Sequence, residues 1–241
     1  MATFIPFGQP AVTGEAMTID GTVNKTALLL LLVVAGAMWP WGAILSGDYQ
    51  STATWLAYGF GAGLGGMVVG FVTIFKKQWA MFTAPLYAVL EGVFIGCASA
   101  LVETQYPGIV VQAVGLTFGT LGCLLLAYRS RLIQVTDKFR LGVVAATGAV
   151  MVLYLASFAL GFFGISFPFI HDNGPVGILI SAVIVGIAAL NLILDFDFIE
   201  QGAAAGAPNY MEWYGGFALL VTPIWLYIEI LRLLAKLRSR D

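Results

Sequence analysis

Seven apolar stretches, each at least 20 residues long, occupy most of this chain: 27–46, 51–75, 79–102, 107–128, 140–163, 175–205 and 214–237. A helix needs about 20 mostly apolar residues to cross a bilayer, whereas a membrane barrel strand needs only about 9 to 11. The stretches are therefore helices. Of the 241 residues, 60% are hydrophobic and only 10% are charged; a soluble domain carries roughly 25% charged residues. Such a composition cannot cover a water-facing surface. The expected fold is all-α: a polytopic membrane protein of seven transmembrane helices in one membrane domain over 27–237, with tails at 1–26 and 238–241. Its surroundings are the lipid bilayer. The net charge of −2 offers nothing to nucleic acid.

Seven crossings put the termini on opposite sides, and the basic residues divide accordingly. Lys25, Lys76, Lys77, Arg129, Arg131, Lys138 and Arg140 fall on the N-terminal side; Arg232, Lys236, Arg238 and Arg240 fall on the other. Excess Lys and Arg mark the cytoplasmic side, so the N-terminus is expected in the cytoplasm.

Glycine crowds the second stretch, "YGFGAGLGGMVVG". Gly61, Gly63 and Gly66 satisfy a dinucleotide-type spacing, but that motif needs a strand before it and a helix after it. Inside a span, the pairs Gly59/Gly63 and Gly61/Gly65 instead predict close helix packing. Pro40, Pro85 and Pro223 lie inside spans, where each frees a carbonyl and shapes its helix. Cys97 and Cys123 lie in apolar runs and read as reduced packing residues. The single histidine, His171, lies in a loop.

The acids carry the most information. Glu91 lies well inside the third span, Asp195 and Asp197 late in the sixth, and Glu229 within the seventh, with Arg232 three residues on. Inserting a carboxylate at membrane depth costs at least ~2.5–3.5 kcal/mol, and such residues face the bundle interior and mark ion or proton routes. Arg232 can pair with Glu229 along the helix or reach the interface. Antiparallel helices bring level those residues that are equidistant from the turn. The midpoint of Asp195 and Glu229, position 212, lies about five residues beyond the middle of the turn "GAPN", Gly206–Asn209. Long side chains absorb such an offset, so the two carboxyls are expected to meet. Two adjacent carboxylates in low dielectric cannot both ionise cheaply, which makes the pair a proton switch; ionised, it offers oxygens that suit Ca²⁺. Asp197 points about 200° around the helix from Asp195 and serves, with Glu91 and Arg232, as a supporting residue.

The stretches "APLYAVLEGVFIG", "LNLILDFDFIEQGAAAGAPNYMEWYG" and "LLVTPIWLYIEILRLLAKL" resemble the Bax inhibitor-1/YccA family, in particular a bacterial branch. Its members have an Asp late in the sixth span, often within Asp-Thr-Gln, and an acid in the final helix before a Leu-rich end. Asp195 matches the first and Glu229 the second. The resemblance implies a bundle around a central last helix in the bacterial inner membrane. It also implies a pH-sensitive Ca²⁺ leak closed by the two acids, with Ca²⁺ as the transported ion and no resident cofactor. This chain departs from the pattern at Phe196-Asp197, in having Glu at 229, and in a longer connection between the last two spans.

The rival function is a membrane interaction protein that binds or restrains another membrane protein, its acids structural and non-conducting. An enzyme is not expected: no span contains a histidine, and neither a Ser/His pair nor a metal cluster is legible.

Overall fold

The computed structural model describes residues 16–47, 49–162 and 174–239. Among them seven helices are long and apolar enough to cross a membrane. They are α1 (Ile19–Leu45), α2 (Tyr49–Phe75), α3 (Ala80–Gln105), α4 (Ile109–Arg129), α5 (Asp137–Phe162), α6 (Pro175–Ala204) and α7 (Tyr210–Arg238). The all-α membrane architecture is thus the one expected. His171 and most of the loop around it lie outside the described residues.

Local chemistry sets the helix ends. Thr18 is extended (φ −119°, ψ 152°), and its hydroxyl accepts from the Gly21 N–H at 2.9 Å. That is an N-cap, and Asp20 in the first turn complements the helix dipole. α1 therefore starts at Ile19, inside the stretch expected as a tail; a polar cap, invisible to hydropathy, extends the helix. Glu103 accepts from the N–H groups of Gly108 (2.6 Å) and Val110 (3.1 Å), satisfying the otherwise unpaired start of α4. α6 opens on Pro175, whose missing N–H costs nothing in a first turn. It closes at Gly206, φ +64°, where Ala207 N–H reaches back to Gly202 O at 3.0 Å in a Schellman turn.

The chain divides into two units, Met1–Cys97 with Asp197–Leu220 and Ala98–Phe196 with Val221–Asp241. In the first, α1 and α3 make the tightest approach. A Cβ on Gly36 would lie 2.8 Å from Val89 O, one on Gly96 would lie 2.5 Å from Ala37 O, and one on Gly92 would overlap Val33 O. The expected glycine edge of α2 is only partly used: Cβ atoms on Gly59, Gly63 and Gly65 would meet Cys97, Phe94 and Leu90, but one on Gly61 would meet nothing within 4 Å. Glu212 ties the first unit's ends together. It accepts from the Thr18 N–H and hydroxyl, both at 2.8 Å, and pairs with Lys25.

In the second unit polar contacts join the helices. Asn191 donates to the Thr147 hydroxyl at 2.8 Å, and the Ser99 and Tyr227 hydroxyls lie 2.6 Å apart. Lys236 is buried and donates to Ser181 Oγ (2.9 Å) and Gly177 O (3.1 Å). Of all seven helices α7 is the most enclosed, with 56% of its most apolar stretch buried against 11% for α5. That contrast is the mark of a core helix beside a lipid-facing one.

Candidate functional site

α6 carries Asp195 among Leu192, Ile193 and Phe196, all buried. The face is apolar, so the carboxyl depends on whatever α7 places opposite it. That residue is Thr222, buried, whose side chain hydrogen-bonds the Asp195 carboxyl. The other oxygen, Oδ2, is buried with no hydrogen-bond partner; among the described residues it is the one buried side-chain oxygen or nitrogen left so. A buried polar atom without a partner is costly in a folded protein, and more so at membrane depth.

Glu229 is in the opposite condition. It is 1% exposed. Its Oε1 accepts from the Tyr154 hydroxyl at 2.7 Å and from Trp225 Nε1 at 3.2 Å, and Arg232 Nη1 lies 3.3 Å from Oε2. Arg232 also donates to the Tyr154 hydroxyl at 2.6 Å, and its guanidinium lies 5.3 Å from the centre of the Tyr154 ring. Charge, hydrogen bonds and a π face thus hold α5 to α7. Arg232 pairs along the helix while keeping 39% of its side chain exposed.

The expected Asp195–Glu229 pair is therefore not formed: no hydrogen bond joins the two residues. Asp195 and Thr222 are nearly equidistant from the Gly206–Asn209 turn, so the hairpin keeps its ideal register and absorbs no offset. Glu229 lies two turns beyond Thr222 on the same face, roughly 10 Å further along α7. Among the described residues no three His, Cys, Asp or Glu side chains come together to hold a metal.

Asp197 accepts from Gln201 Nε2 at 2.7 Å on an exposed turn of α6, apart from the Asp195 carboxyl. Glu91 sits in the first unit beside Gly66, where a Cβ would lie 3.0 Å from its Oε2. Thr222 and Tyr154 escape a reading based on charge, since neither is charged. Thr222 had a signal in the register of the turn. Tyr154 had none, because nothing in the sequence says that α5 adjoins α7.

The model of the family described as Bax inhibitor 1 like matches residues 6–239, nearly the whole chain. No curated protein and no solved structure matches it.

Proposed function

The chain belongs to the Bax inhibitor 1 like family, and from that premise we propose that it is a pH-sensitive cation leak, permeable to Ca²⁺, with Asp195 as the titrating and ion-contacting group. The observation that carries this reading is the unpartnered Oδ2 of Asp195 on a membrane-spanning helix. Protonated, the carboxyl is neutral and has no hold on a cation. Ionised, it is an uncompensated charge in low dielectric, which a passing cation relieves. A carboxylate and the Thr222 hydroxyl replace only part of the six to eight oxygens that Ca²⁺ takes. The ion keeps water for the rest and is held weakly enough to leave, as conduction requires. Glu229 serves as a fixed strut in this scheme, since each of its oxygens already has a donor.

The membrane we assign is the bacterial inner membrane, with the N-terminus in the cytoplasm. The basic residues at the ends of α2, α4 and α5 support that orientation. On the opposite side Arg232 and Lys236 are occupied by Glu229, Ser181 and Gly177, which reduces the competing cluster.

The test is Ca²⁺ flux against pH in liposomes holding purified protein. Flux in the wild type should rise with pH, and Asp195→Asn should flatten the dependence at the low-pH level. A pH response kept whole in Asp195→Asn would overturn the assignment. An absence of flux at every pH would replace the leak with the rival role of a membrane regulatory protein.

A further inference from the structure

A groove of about 370 Å³ opens in the first unit between α2 and α3, lined by Phe60, Leu64, Met67, Tyr87, Phe94 and Glu91. Its volume is at the small end of the range for small-molecule sites, about 300–1,000 Å³. The rim residues Phe60, Leu64 and Met67 are exposed in the middle of a membrane-spanning helix, so the mouth faces lipid rather than water. Glu91 lies about 16 Å from the start of α3, near the mid-depth of the bilayer. Its carboxylate is half-buried and receives no hydrogen bond from the described residues. Gly66 makes room for it, since a Cβ there would press on Oε2.

We propose that this groove is a binding site for a membrane-soluble organic cation, a hydrophobic amine or onium ion that enters from the bilayer and places its charge against Glu91. Two features select that chemistry. An acid in an apolar, lipid-open groove lacks a counter-charge, so the complementary ligand is positive. The remaining walls are aromatic faces and a thioether, with the Tyr87 hydroxyl as the only other side-chain oxygen. Aromatic walls suit an alkyl- or aryl-clad cation through cation–π attraction, and they are useless to Ca²⁺, which takes six to eight oxygens. A neutral acyl chain fills such a groove as well, but leaves the carboxylate unanswered. Glu91 and Asp195 belong to different units of the chain.

The probe is tetraphenylphosphonium, measured by equilibrium dialysis against the full chain in detergent, with tetraphenylborate as a ligand of like shape and opposite charge. The wild type should bind the cation saturably, and tetraphenylborate, dialysed in a separate experiment, should show no saturable binding. Glu91→Gln, close in size and uncharged, should weaken binding at least tenfold. Leu64→Trp, which crowds the groove from an exposed rim position and leaves the acid intact, should do the same. Asp195→Asn should bind as the wild type does. Wild-type affinity in Glu91→Gln, equal saturable binding of tetraphenylborate on its own, or unchanged binding in Leu64→Trp would each overturn the proposal and leave the groove a cleft for acyl chains.

Discussion

Asp195 and Glu229 are the same functional group in the same setting, each on a membrane-spanning helix and each turned away from lipid, yet their surroundings differ completely. Around Glu229, three donors from α5 and α7 satisfy the carboxylate. Around Asp195, one oxygen meets Thr222 and the other meets nothing. Burial alone thus does not distinguish the two acids; their donors do. A carboxylate with a cation and two hydrogen bonds has its charge answered, while one without them does not. The acid we propose for function is the first, while the second is tied into the scaffold by its donors.

Removing the scaffold acid should give the largest effect. In Glu229→Ala the Tyr154 hydroxyl, the Trp225 N–H and the Arg232 guanidinium lose their common acceptor. Stranding a buried ion-pair partner costs up to about 3–5 kcal/mol. The exposure of Arg232 reduces that here to about 2–3 kcal/mol, the range for charged hydrogen bonds. Thermal unfolding in detergent should show a fall of several degrees. Tyr154→Phe deletes one hydroxyl from the same network and should cost about 1 kcal/mol. If Glu229→Ala unfolds at the wild-type temperature, the network carries no stability and the contrast between the acids collapses.

The part of this arrangement that was legible in the sequence follows from what each signal depends on. The seven spans depend only on length and hydropathy, and they stand. The beginning of α1 depends on one hydrogen bond from Thr18, which no hydropathy window contains. The α1–α3 contact could have been read: Gly92 and Gly96 form a Gly-x-x-x-Gly pair in "EGVFIG", as good as those of α2. It was obscured by the acid beside it. The pairing of Asp195 could also have been read. The turn at Gly206–Asn209 pointed to Thr222, but two charged residues make a more conspicuous pair than an acid and a hydroxyl. The role of Tyr154 was out of reach, because which helices adjoin depends on the whole bundle and not on any one segment.

Asp195→Asn should leave stability nearly unchanged, within about 1 kcal/mol, and any shift should be upward. The substitution keeps the shape and a hydrogen bond to Thr222, and removes an ion that is poorly tolerated at depth. Its expected signature is a flattened pH response of flux with stability kept, the reverse of the loss of stability expected at Glu229. Asp197→Asn should move neither readout appreciably, with stability inside about 0.5 kcal/mol, because surface substitutions away from special features act on that scale. A strong effect of Asp197→Asn on the pH response, with Asp195→Asn silent, would transfer the functional role to the other acid of "DFD".

The smallest effect is also the sharpest. If the two acids acted as one bridging unit, neutralising either would do the work of both, and a double-mutant cycle with Asp195→Asn and Glu229→Gln would show a coupling above about 1 kcal/mol. The geometry separates them by two turns of α7, with no donor in common. Sites 7–10 Å apart without shared partners add to within about 0.3–0.5 kcal/mol, so the measured coupling in unfolding free energy should fall inside that margin. The pH response supplies a second arm of the same cycle. Glu229→Gln should retain a rising flux with pH wherever it folds, since Asp195 is intact, and the double variant should resemble Asp195→Asn alone. A large coupling together with a flat response in Glu229→Gln would mean that α6 and α7 slide by two turns during gating to bring the acids together. The separated pair described here would then be one end-state of that motion.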